Sequence, residues 1–489
     1  MYLEQFFVEG LGHASYLVGS DTTKEALVVD PRRDVMAYVE AAHKRGLEIR
    51  YVLETHLHND FVSGARQLAS CLGAEHVASA EADIAFEHRG VRDGDELRLG
   101  ELLIRVLRTP GHTPEHVSYA VIDTARHEQP FVVFSGGDLL VGAVGRPDLL
   151  GRELGEQLAP QLYDSLHDKL LPLGDHVIVL PTHGNGSLCG RGISGTRTTT
   201  IGYERLANPM LQHTSKEAFV EAVLAGDPAI PAYYARMRPT NQGGPEPFRA
   251  PEPRPLPPHE VQHLAGHGAV VLDTRPNVAF GGGHIPGAVN VSLGPMLATW
   301  VGWLVSADDP IVLVLDREED WAEVTTALLR IGYERFAGYL HLGMSSWVEH
   351  GLPVERVEQL TVHELQRRLD ERSDVQVLDV RLDGEWQGGH IDRATHLMLG
   401  DLPTGLEALG LDRDRPIAAV CGSGYRSSIA TSLLERHGFK EVWNTLGGMT
   451  AWKEAGLPTV DGAQPTDGHQ TPPVRDEGQH RVRRPVAAG

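Results

Sequence analysis

"ETHLHNDFVSG", residues 54–64, sets His56, His58 and Asp60 within one short stretch and follows them at once with Phe61. Two imidazoles and a carboxylate this close make a metal-binding set, because neutral histidine nitrogen and carboxylate oxygen both ligate divalent first-row ions. The preceding run "IRYVLET" reads as a buried strand, so these side chains stand on a loop at a strand end. Phe61 cannot bind a metal. The stretch therefore ends its run of ligand-type residues on a hydrocarbon ring, and the rest of the chain has to explain why.

Three further segments repeat the pattern of an apolar run followed by a polar metal-type residue. "RTPGHTPEHVSY" (108–119) holds His112 in a glycine-bearing turn, "PFVVFSGGDLL" (130–140) brings Asp138, and "HVIVLPTHGNG" (176–186) brings His183. Four such loops in order point to one edge of a sheet sandwich that collects ligands. His56, His112, Asp138, His58, Asp60 and His183 are the candidates. Six residues beyond His183 stands Cys189, in "THGNGSLCGRG". It is either a thiol that relays sulfur beside the metal pocket or a small residue packed under a loop. Cys71, at the end of the apolar pattern "QLASCLGAEHV", is expected in the core.

The chain has 489 residues, more than one core organises, so several domains are expected. A net charge of −22 disfavours nucleic acid and anionic membrane surfaces as partners. No apolar run is long enough for a transmembrane helix, and "MYLEQFFVEG" lacks the features of a secretory signal. Three cysteines do not make a disulfide framework, so a reducing cytoplasmic location is expected and a conspicuous cysteine is a catalytic candidate.

A proline-rich segment, "GGPEPFRAPEPRPLPPHE" (243–260), reads as an extended linker. Beyond it the chain repeats itself. "VVLDTRPNVAFGGGHI" (270–285) matches "QVLDVRLDGEWQGGHI" (376–391), and the same offset carries Pro310 to Pro416 and Gly332 to Gly438. Tandem homologous domains follow. In the second copy the buried run "PIAAV" leads into Cys421, Gly422, Ser423, Gly424, Tyr425 and Arg426, then a helical run. A cysteine at such a strand–loop–helix junction meets converging backbone N–H groups and the positive end of a helix. Both stabilise negative charge on and beside the sulfur. In the first copy Leu315 stands at the cysteine position and Asp320 at the arginine position, so that copy carries no sulfur chemistry.

The loop Cys421 to Arg426, with "LDVR", "GGHI" and "LGGMTAWKEAGLP", resembles the rhodanese sulfurtransferases, whose active loop reads C-x-x-G-x-R. The resemblance implies a persulfide on Cys421, cradled by Gly422, Ser423, Gly424 and Tyr425, with Arg426 helping to hold the anionic donor or acceptor. Cysteine phosphatases place one more residue between cysteine and arginine, which favours sulfur over phosphate here. The N-terminal part resembles the metallo-β-lactamase superfamily. "LVVDPRRD", "GHTPEHVSY", "GDLLVGAVGRPDL" and "TTTIGYERLANPM" resemble its persulfide dioxygenase branch.

These resemblances imply an α/β multidomain protein: an N-terminal αββα sandwich (1–245), a linker (246–256), an inactive rhodanese-like domain (257–355), an active rhodanese domain (358–460) and a flexible tail (461–489). They imply one Fe(II) per chain on His56, His112 and Asp138, with His58, Asp60 and His183 orienting ligands and bound species. The implied reaction takes a low-molecular-weight thiol persulfide and O2 to sulfite and thiol, coupled through Cys421 to sulfite–thiosulfate interconversion in sulfide detoxification. A homo-oligomer is expected. In a two-metal hydrolase the second site would draw on Asp60, the residue after it and His183, and Phe61 removes one of these. The alternative is a zinc-dependent thioester hydrolase of glyoxalase II type with accessory rhodanese domains.

Overall fold

The computed structural model describes residues 1–226 and 229–462. The expected flexible tail lies, beyond its first two residues, outside the described residues. Among the described residues no helix is long and apolar enough to cross a membrane.

Two six-stranded sheets form the N-terminal part. The first runs in chain order from Tyr2–Val8 to Arg89–Val91, antiparallel in its first three strands and parallel from Glu25–Val29 onward. The second places Ile178–Pro181 parallel to Val132–Gly136, beside the antiparallel strands Val117–Asp123, Leu102–Arg108 and Glu96–Leu99. Their facing side chains, among them Tyr16, Leu27, Leu53, Ile104, Tyr119 and Phe134, make one apolar core. Helices cover both outer faces: Tyr38, Ala42 and Leu68 on one side, and Leu162, Leu166 and Phe219 on the other. This is the αββα sandwich expected, because each sheet has two apolar faces to bury.

Two five-stranded sheets follow with the same strand order. In the middle repeat the order is Pro255–Leu256, Phe336–Leu340, Ile311–Val314, Val270–Asp273 and Val289–Asn290, all parallel. The last repeat matches it strand for strand, from Glu358–Leu360 to Thr395–His396. The repeat seen in the sequence is thus a repeat of topology. In each copy the "LDxR" motif folds into a buried fork: Arg275 Nε lies 2.9 Å from Asp273 Oδ1, and Arg381 Nε lies 2.9 Å from Asp379 Oδ1.

Two expectations need correction. Pro255 and Leu256, assigned to the linker, form an edge strand of the middle sheet, and Leu256 is fully buried. Proline is tolerated there because an edge strand has a free N–H side. Cys71 is exposed, not core. In the helix Ala65–Leu72 the buried residues are Ala65, Leu68 and Ala69, a stripe with helical spacing that leaves Cys71 outside it, at its flank.

The middle repeat touches both neighbours. Val62 N donates to Arg330 O at 2.7 Å, Arg330 pairs with Asp34, and Thr299 Oγ1 donates to Gly10 O. On its other side, the helix Tyr425–Arg436 of the last repeat is buried continuously from Ser427 to Leu434. It lies between its own sheet and the middle repeat, where Ser428 Oγ and Asn290 Oδ1 are 2.8 Å apart and Asn290 N donates to Ser432 Oγ. That double burial encloses the hydroxyl face of "SSIATSLL", Ser427, Ser428, Thr431 and Ser432, along with its apolar face.

Candidate functional site

All four ligand-bearing loops open at one edge of the sandwich, after the strands Glu48–Leu53, Leu102–Arg108, Val132–Gly136 and Ile178–Pro181. His56, His58, Asp60, His112, Asp138 and His183 are all buried there. Hydrogen bonds fix which nitrogen faces the centre. The Thr55 hydroxyl donates to Asp30 Oδ2 at 2.7 Å, so at 2.9 Å from His56 Nδ1 it accepts that N–H, leaving His56 Nε2 as a bare acceptor. His112 Nδ1 donates to Arg146 O at 2.9 Å, and His112 Nε2 has no hydrogen-bond partner among the described residues. Asp138 Oδ1 accepts from His112 N at 3.0 Å, while Oδ2 has no such partner.

His183 Nε2 lies 3.3 Å from His56 Nε2. Its Nδ1 lies 3.3 Å from Asp60 Oδ2. Donor atoms of His56, His58 and His183 fall within 4.8 Å of one another, and so do those of His112, His183 and Cys189. Asp138 is in neither group. His183 is shared by both.

Buried acceptors without donors carry a desolvation cost that a cation would offset. Burial, and after it the neighbouring histidines, hold His56 and His112 well below the usual imidazole range, in the neutral form that ligates metals. Burial pushes the Asp138 carboxyl well above its ordinary value. Burial also works to lower His183, but Cys189 and Asp60 outweigh it and hold that imidazole well above its ordinary value.

The ring of Phe61 stacks on His13 with centroids 3.7 Å apart and on His58 at 4.3 Å. It fills the flank of the cluster beside Asp60 with hydrocarbon. Cys189 is 1% exposed, and its Sγ lies 3.9 Å from Tyr234 Oη. It is both packed under a loop and adjacent to the histidine cluster, so the two readings of it are not exclusive.

The sequence did not single out three contributors. His13 donates from Nε2 to Asp30 O at 2.9 Å, and it bridges to His183 between the two sheets. His116 accepts from Gly137 N at 2.9 Å and sits with Nδ1 3.4 Å from Asp138 Oδ2. Asn241 binds Ser63 N, His58 O and Phe61 O, each at 2.9 Å, and so straps down the ligand loop from the helix Tyr234–Gly243. His116 lay in a segment already singled out. Asn241 had no sequence signal, because its partners are far away in the chain.

In the last repeat Cys421 follows the strand Ile417–Val420 and precedes the helix Tyr425–Arg436. Gly424 N donates to Cys421 Sγ at 3.1 Å, and Gly424 has φ 99°, a conformation that favours glycine. The sulfur lies 3.4 Å from Ser427 Oγ, which donates to Asn444 Oδ1. Arg426 makes two bonds to Glu385, at 2.6 and 2.7 Å. Beside this loop a cavity of about 430 Å3 is lined by Ser423 and Tyr425 and by Asn277, Ser292 and Met296 of the middle repeat. Asn277 Nδ2 donates to Gly424 O at 3.2 Å, so the middle repeat helps to hold the active loop. In the middle repeat Leu315 is buried in the core and Asp320 binds Arg317, which leaves no anion cradle.

Residues 8–197 match the model of the metallo-beta-lactamase superfamily, and residues 257–350 and 361–455 match the rhodanese-like domain. The mitochondrial persulfide dioxygenase of Mus musculus is 30% identical over 227 residues, covering 44% of this chain and 78% of that protein. Hydroxyacylglutathione hydrolase GloC of Haemophilus influenzae is 29% identical over 216 residues, covering 40% of this chain and 91% of that protein. A solved structure described as a metallo-beta-lactamase from Staphylococcus aureus is 32% identical, with a TM-score of 0.63 over 70% of this chain and 98% of that one. The shared edge of ligand loops and the twice-repeated parallel sheet agree with these likenesses: the chain belongs to the metallo-β-lactamase superfamily, with persulfide dioxygenases among its homologues, and carries tandem rhodanese-like domains.

Proposed function

We propose that the chain oxidises a low-molecular-weight thiol persulfide at its N-terminal centre and exchanges sulfane sulfur at Cys421, a pairing suited to sulfide detoxification. One persulfide, one O2 and one water would give one thiol, one sulfite dianion and two protons. The observation that carries this reading is a buried histidine–carboxylate set whose flank is closed by Phe61 rather than by a further ligand. The likeness to persulfide dioxygenases supports it.

In this reading His56, His112 and Asp138 hold one Fe(II), a set of two imidazoles and one carboxylate that leaves positions open. Fe(II), when bound, supplies the redox chemistry that lets O2 react with a sulfur substrate. The chain's own groups do the rest. Thr55 and Asp30 fix the tautomer of His56, and Arg146 O fixes that of His112. His58, Asp60 and His183 orient ligands and bound species. The buried Cys189 thiol accepts or relays sulfur beside them.

At the last repeat the Cys421 sulfur attacks the sulfane sulfur of thiosulfate. The S–S bond of thiosulfate breaks, a cysteine persulfide forms, and sulfite leaves with the bonding pair. The reverse step returns sulfur to sulfite. The Gly424 N–H and the helix terminus stabilise charge on the reacting sulfur.

A zinc-dependent thioester hydrolase is favoured by the likeness to the Haemophilus hydrolase and by the 3.3 Å approach of His183 to Asp60. Metal analysis joined to an oxygen electrode decides. O2 uptake on adding a persulfide, with about one iron per chain, is expected. Bound zinc, thioester cleavage and no O2 uptake would reject the dioxygenase reading.

A further inference from the structure

A second cluster of metal-type side chains lies at the seam between the two rhodanese-like repeats. His284 comes from the middle repeat, Glu355 from the extended segment that ends it, and Glu435 from the end of the helix Tyr425–Arg436 in the last repeat. Their donor atoms all lie within 4.8 Å of one another. We propose that His284, Glu355 and Glu435 form a divalent-cation site of the zinc class that staples the two repeats together.

The histidine carries the argument. His284 is 1% exposed, and its ring stacks on Phe280 with centroids 3.8 Å apart. Its Nδ1 lies 3.0 Å from Phe280 O, and a carbonyl can only accept, so Nδ1 holds the proton. Nε2 is thereby the nitrogen presented to the two carboxylates. It lies 3.2 Å from Glu435 Oε2 but has no hydrogen-bond partner among the described residues. A buried acceptor facing carboxylates repels them unless a positive charge stands between. Ligand atoms about 2.1 Å from a tetrahedral zinc are about 3.4 Å apart, close to the separation seen.

The other repeat supplies a comparison within the same chain. His390 occupies the position of His284, and its Nδ1 likewise meets a carbonyl, that of Trp386. Each histidine forms an isolated bridge with one residue: His284 with Glu355, and His390 with Val460. The fold therefore needs the histidine and the bridge but not the carboxylate. Only the copy that faces Glu435 has one.

The seam is preorganised. Arg436 Nη1 donates to Gly287 O at 2.9 Å, which ties the end of the long helix to the segment after His284. Glu355 is exposed, so an ion can enter, and a water would complete four-coordination. The same helix begins at the Cys421 loop, so a cation here would fix the register of the loop's supporting helix.

The test uses the full-length protein. Crystals soaked in zinc chloride and measured at the zinc edge should show an anomalous peak between His284, Glu355 and Glu435. In equilibrium dialysis against zinc chloride, Glu435→Gln should retain about one zinc fewer per chain than the wild type. Comparing the two removes the contribution of the N-terminal centre. If Glu435→Gln folds poorly, Glu355→Gln at the exposed position serves instead. No peak at the seam, or equal zinc in wild type and variant, would overturn the proposal and leave a plain imidazolium–carboxylate pair.

Discussion

The ring of Phe61 lies between those of His13 and His58, 3.7 Å from the first and 4.3 Å from the second. It is a buried hydrocarbon plate set against a histidine cluster, next in sequence to Asp60, whose Oδ2 lies 3.3 Å from His183 Nδ1. This arrangement permits one metal at the far side of the cluster and blocks a ligand at the near side. Phe61→His should therefore let the chain take up one more zinc than the wild type treated alike, as counted by elemental analysis. Unchanged stoichiometry in excess zinc would show that the ring is not what keeps the centre mononuclear. Phe61→Ala should instead cost about 3–5 kcal/mol of stability, because it leaves a cavity in a close-packed wall.

Replacing a proposed ligand should separate the two chemistries. His56→Ala, His112→Ala and Asp138→Ala should each abolish persulfide-dependent O2 uptake and reduce bound iron, while transfer of sulfur from thiosulfate by Cys421 persists. An oxygen electrode and a thiosulfate assay on the same preparation read both. Persistent O2 uptake in any of the three would remove that residue from the ligand set.

Asn241 gives a test of support rather than ligation. Its side chain is buried and makes three bonds to the backbone of the ligand loop, at Ser63, His58 and Phe61. Each is worth about 1 kcal/mol, with a further penalty for groups left unpaired. Asn241→Ala should therefore lose about 3 kcal/mol in denaturant unfolding and release metal to a chelator faster than the wild type. Normal stability with normal metal retention would mean that the loop is held by other contacts.

The sequence made the strand-end ligands legible because each one terminates an apolar run, and a strand ending in a histidine or aspartate is a local pattern. The tandem repeat was legible because it is a pattern along the chain. What it hid was contact across the chain. His13 meets His183 by a bridge between the two sheets, and Asn241 reaches back to the loop of residues 58–63. Cys71 was misjudged for a related reason. A helix of eight residues shows only two turns, too few to tell which side of its apolar stripe faces the sheet. The middle repeat, which lacks the sulfur-carrying loop, is an interface. Its bonds from Asn277 and Asn290 to the last repeat and from Arg330 to Val62 give that interface specific contacts at both sites.

The last prediction concerns how the labour is divided between the repeats. Cys421 is the single cysteine of the two copies, and its sulfur accepts the Gly424 N–H at 3.1 Å while lying against Ser427. Arg426 is held in a two-pronged contact by Glu385. Burial works to raise Glu385, yet Arg426 holds that carboxyl below its ordinary value. The stabilisation from the pair is therefore present above the unfolded carboxylate range and is lost as pH falls through the lowered folded value. Cys421→Ser should remove transfer of sulfur from thiosulfate, at least a hundredfold, because no other group in the loop can carry a persulfide (about 3 kcal/mol in the barrier). The same variant should keep its persulfide-dependent O2 uptake. The middle copy offers no substitute, since Leu315 is core and Asp320 is engaged with Arg317. After incubation with thiosulfate, mass spectrometry of the wild type should find one added sulfur on the peptide that contains Cys421. Undiminished transfer in Cys421→Ser, or added sulfur confined to Cys71 or Cys189, would place the sulfur-carrying step elsewhere in the chain.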